Sequence, residues 1–338
     1  MLFRSHDIVE TKGGGKLTEA SVLAGLDWLK RHQSQDGRWD VDQFSMHCKD
    51  GKCGDSGVSW GDPAVTGLAL LAFLGAGNSP KEGIYKSEVG RGLSFLQEIQ
   101  GEDGCFGPKQ NQYMYNHSIA TLSMVEGYLM SQDTRYRDCA DRGVKFLLAA
   151  RNPGSAWRYT YRCRDNDTSV TGWCMMALKA AITAELDVPK ESVVEVKRWL
   201  DSVTMMGEMP WVGYTSPGQG YGTTAVGTLC RILFQEMDDN RFILGGAKIL
   251  GGKLPGWGVR NDFYSWYNAT MSMYQVGGED WTKWNESLKK TLLQHQEKKG
   301  CSRGSWGHGQ YQGGRVYWTA LNTLSLEVYY RYPRIFRK

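Results

Sequence analysis

Two kinds of apolar segment alternate along the chain. The first kind carries one apolar stripe: Val22, Leu26 and Leu29 are spaced i, i+4 and i+7, as on one face of a helix. The second kind is apolar on almost every side, as between residues 64 and 74, which is typical of a buried helix. The two kinds follow one another six times, at a spacing of about 50 residues. The pattern therefore predicts six helix pairs, each with one amphipathic and one buried helix.

A short turn motif, Q-x-x-D-G-x-W, connects the two helices of a pair. It runs from Gln33 to Trp39 and returns from Gln100 to Phe106. A degenerate copy of the motif runs from Arg151 to Trp157, and a longer copy runs from Gln296 to Trp306. Asp-Gly reverses the chain because glycine adopts positive φ, and we expect the Gln amide to bond free carbonyl groups at the helix end. A repeated helix-end turn indicates a repeat architecture.

Repeated helix pairs can stack as an open solenoid or close into a ring. An open stack would leave one face of its inner layer in water, whereas the six buried helices are apolar on nearly every face. We therefore predict an all-α fold, an α/α toroid with an inner and an outer ring of helices. It should form one domain, residues 17–338, after a flexible N-terminal segment, residues 1–16, since no Pro/Gly-rich linker divides the chain.

Composition narrows the range of partners. The 40 basic and 36 acidic residues nearly balance, so nothing indicates a nucleic-acid partner. The 13 Trp, 17 Tyr and 42 Gly suggest glycine-punctuated helices around an aromatic-lined space. No apolar run reaches the ~18 to 20 residues of a membrane span, and the N-terminus has no signal-peptide core. We expect a cytoplasmic or cell-envelope location, with no apolar insertion to support membrane-surface binding and with the oligomeric state left open.

The turns resemble the QW repeats of squalene and oxidosqualene cyclases, and the helix-pair period resembles the superfamily that includes protein prenyltransferase β subunits. Two stretches, Asp167 to Trp173 and Gly313 to Ala320, look similar to uncharacterised single-domain squalene-cyclase-like bacterial proteins. The resemblance implies an isoprenoid or other apolar ligand in a central cavity. It also implies acid-initiated cyclisation or transfer.

The catalytic motifs of those families are not intact here. Class II terpene cyclases use the central acid of D-x-D-D-T, and in Arg164 to Thr168 that position is Asn166, an amide that cannot donate the proton. Prenyltransferases hold zinc with a D-x-C pair and a later His, where this chain has Asp262, Tyr264 and Tyr317. We therefore expect no metal at that site and no cofactor. Whether the protein is an enzyme stays open, and a binding or scaffold domain that lost the chemistry is the main alternative.

Three acidic residues are candidate general acids. Asp167 and Asp262 each lie just before a buried helix and near aromatic residues, and Asp165 could substitute if its loop were shifted. A carboxylic acid in an apolar pocket has a raised pKa and can donate a proton. The plain structural alternative is that these residues only cap helices.

Inner helices of a toroid begin around one mouth of the ring, so we expect a polar rim over a pocket. The candidate ligand-binding residues are His117, Asp62, Trp173, Tyr214, Tyr264, Trp266, Tyr317 and Arg315. Aromatic walls suit carbocations through cation–π attraction, but they equally suit flat apolar ligands or sugar faces, or fill the centre of the ring. A carbohydrate-active toroid is a weaker alternative, for which Asp167 and Asp262 are the only acidic pair.

The loop between residues 41 and 61 holds His47, Cys48 and Cys53. This group permits a disulfide, free thiols or a metal site. The C-x4-C spacing is wide for a zinc knuckle, and no second pair is obvious. A disulfide would imply an oxidising compartment.

Overall fold

The computed structural model describes residues 12–49, 53–234, 240–310 and 313–331. Within these ranges the helices alternate between an outer and an inner set. The outer helices are α1 (Lys16–Arg31), α3 (Lys86–Glu98), α5 (Thr134–Ala150), α7 (Lys190–Ser202), α9 (Asn240–Gly251) and α11 (Gly278–His295). The inner helices are α2 (Asp62–Gly75), α4 (Tyr113–Ser131), α6 (Thr168–Thr183), α8 (Tyr221–Leu233), α10 (Phe263–Val276) and α12 (Gly314–Leu326). Short helices lie at Phe44–His47 and Ser59–Gly61, and α13 is Val328–Arg331.

The inner helices form a closed ring. Each one packs on the inner helix of the repeat before it and of the repeat after it, and α12 packs on α2. The described residues contain isolated β-bridges but no strand. The fold is therefore an α/α toroid, as the sequence predicted. No helix in the described ranges combines the length and the apolar character needed to cross a membrane.

The predicted N-terminal segment lies mostly outside the described residues, but its end is bonded to α11. Trp281 donates its ring N–H to the Lys12 carbonyl at 3.3 Å, and Asn285 donates to the Gly13 carbonyl at 2.9 Å. Lys12 and Gly13 are therefore held against the last outer helix because their carbonyl groups find donors there.

The inner helices are buried, yet they carry many hydroxyl groups that the sequence analysis passed over. These hydroxyls bind the turns. The backbone N–H of Trp39 donates to Thr66 Oγ1 at 2.9 Å, while its ring N–H donates to the Leu29 carbonyl at 2.8 Å. The same pair of bonds joins Trp157 to Thr171 and Leu147, and Trp306 to Thr319 and Leu292. Each aromatic thus fixes its turn to both helices of the pair.

Gln and Gly of the turn bind the next outer helix. Gln33 Nε2 donates to the carbonyl of Gly37 at 2.8 Å and to that of Glu88 in α3 at 2.9 Å. Gly37 has φ +98° and lies so near α3 that a Cβ would come within 2.2 Å of the Arg91 carbonyl oxygen. We call this pair of contacts the turn lock. It needs glycine for both its backbone angle and its close approach.

The same lock closes the ring. Gln296 Nε2 donates to the carbonyl of Gly304 in its own turn and to that of Ser21 in α1, at 2.8 and 2.9 Å. A Cβ on Gly304 would meet the Ala24 carbonyl oxygen at 2.0 Å. The last turn therefore holds the first outer helix, just as Gln100 in the second turn holds the carbonyl of Cys139 in α5.

The third turn lacks this lock. Asn152 replaces glutamine and donates to the Asp165 carbonyl at 2.7 Å and to Asn166 Oδ1 at 2.8 Å. Gly154 keeps a positive φ of +67°, but no atom lies near the position of its missing Cβ. The amide of this turn thus binds the loop before α6, and the contact with the next outer helix is an ion pair between Arg151 and Glu195.

We predict that Gly104→Ala destabilises the fold more than Gly154→Ala. Gly104 has φ +91°, and a Cβ would lie 2.3 Å from the Arg142 carbonyl oxygen, so backbone strain and a clash add up to about 2 to 4 kcal/mol. Gly154 carries only the strain of its φ, about 1 kcal/mol. Urea unfolding followed by circular dichroism measures both. Equal losses would show that the close approach contributes nothing.

Candidate functional site

A pocket of about 600 Å³ opens where inner helices α4, α6, α8 and α10 begin. We call it the mouth pocket. Its lining consists of Gln112, Tyr115, Tyr159, Ser169, the loop 213–220, Gly222, Thr223 and Tyr264. The wall is therefore a mixture of tyrosine rings, hydroxyl groups and glycine-rich backbone. A more open pocket of about 680 Å³ lies on the outer surface beside α3, away from the inner helices.

Asp167 lies behind the wall of the mouth pocket. It caps α6 through Oδ1, which accepts the N–H of Val170 at 2.8 Å, and its side chain is 0 % exposed. Oδ2 makes no hydrogen bond of normal geometry, and Arg158 Nε lies 3.7 Å from it. Burial raises the pKa of Asp167 to about 6, although Val170, Arg158 and the Tyr214 hydroxyl each lower it in part. The carboxyl is thus half protonated near pH 6.

Arg158, Tyr159 and Tyr214 form a cover beside this carboxyl. The two tyrosine hydroxyls are 2.5 Å apart and share a hydrogen bond. The Arg158 guanidinium lies 4.9 Å from the centre of the Tyr159 ring and 5.9 Å from that of Tyr214. Both tyrosines line the mouth pocket. The cover therefore separates the buried acid from the pocket by one layer of side chains.

Asp167 also affects the pKa of two more tyrosines of the pocket. Burial raises the pKa of Tyr115 and of Tyr264 well above its ordinary value, and the Asp167 carboxylate raises both further. Tyr264 lies in the first turn of α10, and Tyr115 lies in the first turn of α4. The start of α6 thus places one carboxyl among tyrosines from α4, from α10 and from the cover.

The other predicted acids have structural partners. Asp262 caps α10, with Oδ1 accepting the Ser265 N–H at 3.0 Å and Oδ2 accepting the Ser265 hydroxyl at 2.5 Å. Asp165 is 72 % exposed and pairs with Arg158 at 3.2 Å. Asp62 accepts the N–H of Val41 at 2.9 Å, and burial raises the pKa of Asp62 to about 6. None of these three side chains lines the mouth pocket.

His117 has a structural role that the sequence analysis missed. Its Nδ1 accepts the backbone N–H of Phe106 at 3.2 Å, and its Nε2 lies 3.0 Å from the Gly143 carbonyl. It therefore binds the second turn as threonines bind the other turns. Burial lowers the pKa of His117 to about 3, so the ring is neutral. Neither ring nitrogen is left for a ligand.

The remaining predicted ligand-binding residues divide into two groups. Tyr214 and Tyr264 line the mouth pocket. Trp173, Trp266, Tyr317 and Arg315 do not: Trp173 stacks on Tyr267, Trp266 packs on Phe263, Tyr317 is half-buried, and Arg315 bonds the loop before α2. Arg158 and Tyr159 were not among the residues predicted from the sequence. Their position directly after Trp157, the residue that ends the third turn, was the available signal.

No protein-family model matches the sequence, and no curated protein matches it. Several solved structures share its fold. A cellobiose 2-epimerase from Bacillus thermoamylovorans has a TM-score of 0.65 and 12% identity, covering 92% of this chain and 97% of that one. A GH76 alpha-mannanase from Bacteroides thetaiotaomicron has a TM-score of 0.64 and 11% identity, covering 96% and 98%. A type II terpene cyclase from Scytonema, bound to geranylgeranyl dihydroxybenzoate, has a TM-score of 0.61 and 12% identity, covering 93% and 97%.

These similarities place the chain among proteins with an α/α toroid fold. At this level of identity they show the fold alone, and that fold carries both terpenoid and carbohydrate chemistry. The closer resemblance to squalene-cyclase-like bacterial proteins stays a prediction, because no family model supports it.

We predict that Asp167→Asn flattens the pH dependence of stability. The pKa of Asp167 rises from 3.8 to about 6 on folding, so its favourable contribution is full below about pH 4 and is lost as the pH rises through about 6. Asparagine keeps the cap acceptor but cannot ionise. Relative to wild type, the variant should gain about 2 to 3 kcal/mol between pH 4 and pH 7 in urea unfolding. The exposed Asp165→Asn variant should follow wild type, and a similar gain in both variants would contradict the assignment.

Proposed function

We propose that the mouth pocket binds an isoprenoid or similar unsaturated apolar substrate and that Asp167 protonates it. The observation that carries this proposal is the buried carboxyl of Asp167, with its pKa raised to about 6, behind a wall of tyrosines. A carboxylic acid kept neutral by burial can serve as a general acid near neutral pH. The terpene cyclase of the same fold, solved with a geranylgeranyl substrate, is consistent with such a ligand.

The proposed chemistry starts at Oδ2 of Asp167. Its proton adds to one carbon of a C=C bond, the π electron pair forms the new C–H bond, and the neighbouring carbon becomes a carbocation. The carboxylate left behind is stabilised by the Val170 N–H and by the Arg158 guanidinium. The ring faces of Tyr115 and Tyr264 stabilise the cation through their π electrons. Loss of a proton from carbon to water ends the reaction, and Asp167 is reprotonated from solvent.

Asp167 is fully buried, so the substrate must displace the cover before the proton can move. The motion breaks the hydrogen bond between Tyr159 and Tyr214. One such bond contributes about 1 kcal/mol, which substrate binding can supply.

The pocket supports glycoside hydrolysis less well than it supports protonation of an apolar substrate. Glycosidases use two carboxyl groups about 5 to 9.5 Å apart. No carboxylate lines the mouth pocket among the described residues, and both Asp262 oxygens are bonded to Ser265. Carbohydrate binding without cleavage is favoured by one feature, the hydroxyl and amide groups of Thr215, Ser216 and Gln219 on one wall.

The test incubates purified protein with squalene, oxidosqualene and prenyl diphosphates and detects products by mass spectrometry. Asp167→Asn should reduce any product by about 100-fold or more, since it removes the general acid. Asp262→Asn is the matched control: it removes a carboxylate at the start of another inner helix, keeps a cap acceptor and should leave turnover near wild type.

Three results would overturn the proposal. Product formation that survives in Asp167→Asn would remove the acid from the mechanism. Unaltered substrates, together with tyrosine or tryptophan fluorescence changes on adding manno-oligosaccharides, would establish the carbohydrate-binding alternative. Unaltered substrates that nevertheless bind would indicate a binding domain without chemistry.

A further inference from the structure

Three thiols and one imidazole meet at the seam of the ring, where the first and last repeats touch. They belong to His32, Cys48, Cys53 and Cys301, and their ligand atoms all lie within 4.8 Å of one another. His32 Nε2 is 3.3 Å from Cys48 Sγ, 3.6 Å from Cys53 Sγ and 3.5 Å from Cys301 Sγ. All three cysteines are free thiols.

These distances match the edges of a zinc coordination tetrahedron. With Zn–S bonds of about 2.3 Å and a Zn–N bond of about 2.0 Å, tetrahedral geometry puts nitrogen and sulfur about 3.5 Å apart. Three cysteines and one histidine are a common ligand set of structural zinc sites. Because four protein ligands fill a tetrahedron, no position remains for water or substrate.

The imidazole is oriented for this role. His32 Nδ1 lies 2.8 Å from the Trp28 carbonyl, to which it donates, so Nε2 carries the free lone pair that faces the thiols. The Trp28 ring stacks on the imidazole at 4.2 Å, and Phe44 packs against its edge at 5.9 Å. The hydrogen bond at Nδ1 fixes the tautomer of the imidazole, and the two ring contacts hold its plane.

We propose that His32, Cys48, Cys53 and Cys301 bind a zinc ion that fastens the last repeat to the first. The ligands come from the end of α1, from the loop before α2 and from the last turn. The ion would thus link positions 269 residues apart. The proposal is independent of the chemistry at the mouth pocket and assigns the ion a structural role.

The surroundings of the cluster also connect the two ends of the ring. Arg31 donates to the Arg303 carbonyl at 2.7 Å, directly beside the cluster. Arg315, at the start of α12, donates to the Gly54 carbonyl at 3.0 Å and to the Asp55 carboxylate at 2.5 Å. Zinc would therefore add a strong cross-link to a seam that otherwise depends on hydrogen bonds and packing.

The proposed site differs from the group that the sequence suggested. There, Cys48 and Cys53 with His47 permitted a disulfide, free thiols or a metal site. His47 instead directs Nε2 toward the Ser34 hydroxyl at 3.0 Å, outside the cluster. The imidazole beside the thiols is that of His32, and the third thiol is that of Cys301.

The test measures metal content of the full chain purified without chelators under reducing conditions. We expect about one zinc ion per chain by plasma mass spectrometry, and a cobalt-exchanged sample should show a thiolate-to-cobalt charge-transfer band. A chelator should lower the melting temperature of the wild-type protein. Cys301→Ser should reduce the zinc content at least about tenfold and remove the chelator effect.

Matched controls keep the result interpretable. His47→Ala changes a histidine of the same loop that is not a ligand, and Cys163→Ser changes a half-buried thiol far from the seam; both should retain zinc. Folded wild-type protein that binds neither zinc nor cobalt would overturn the proposal, even if every variant failed to fold. A Cys48–Cys53 disulfide in the natively purified protein would overturn it as well.

Discussion

The toroid depends on one repeated interaction, the amide of a turn glutamine that bonds its own turn and the next outer helix at once. Gln33, Gln100 and Gln296 all make this pair of bonds. A buried carbonyl without a partner costs about 1 to 3 kcal/mol, so each amide satisfies groups that packing alone would leave unpaired. The glycine of each turn, four residues later in the first two and eight in the last, permits the contact, because any side chain there would strike the backbone of the neighbouring helix.

The candidate site lies where that interaction is missing. Asn152 in the third turn bonds the loop before α6, and this loop carries Arg158 and ends at Asp167. The amide bond to the next outer helix is replaced there by an ion pair between Arg151 and Glu195, and the loop gains fixed positions for its backbone. A buried acid with an unsatisfied oxygen is itself unfavourable for stability. A lost turn lock and a buried, unsatisfied acid both reduce stability, and such unfavourable features are typical of functional sites.

Local sequence patterns were sufficient to predict much of the fold. Apolar periodicity and Asp-Gly turns predicted the helices and the ring, and the position of Asp167 before a buried helix predicted its burial. Other features required the folded chain. His117 takes the place of a threonine in a hydrogen bond that no local pattern reveals. His32 and Cys301 are 269 residues apart, so only ring closure shows that they are neighbours.

Closure of the ring also constrains how such a chain can diversify. An open stack of helix pairs can gain or lose one unit at either end, because only nearest neighbours touch. Here Gln296 must reach Ser21 and α12 must meet α2, so a seventh pair would have to change the curvature of every other pair. New sequence is accommodated instead in the connections at the mouth, such as residues 213–220. The closed ring therefore does not accept an extra helix pair. Change in sequence length is confined to the loops that connect the six pairs.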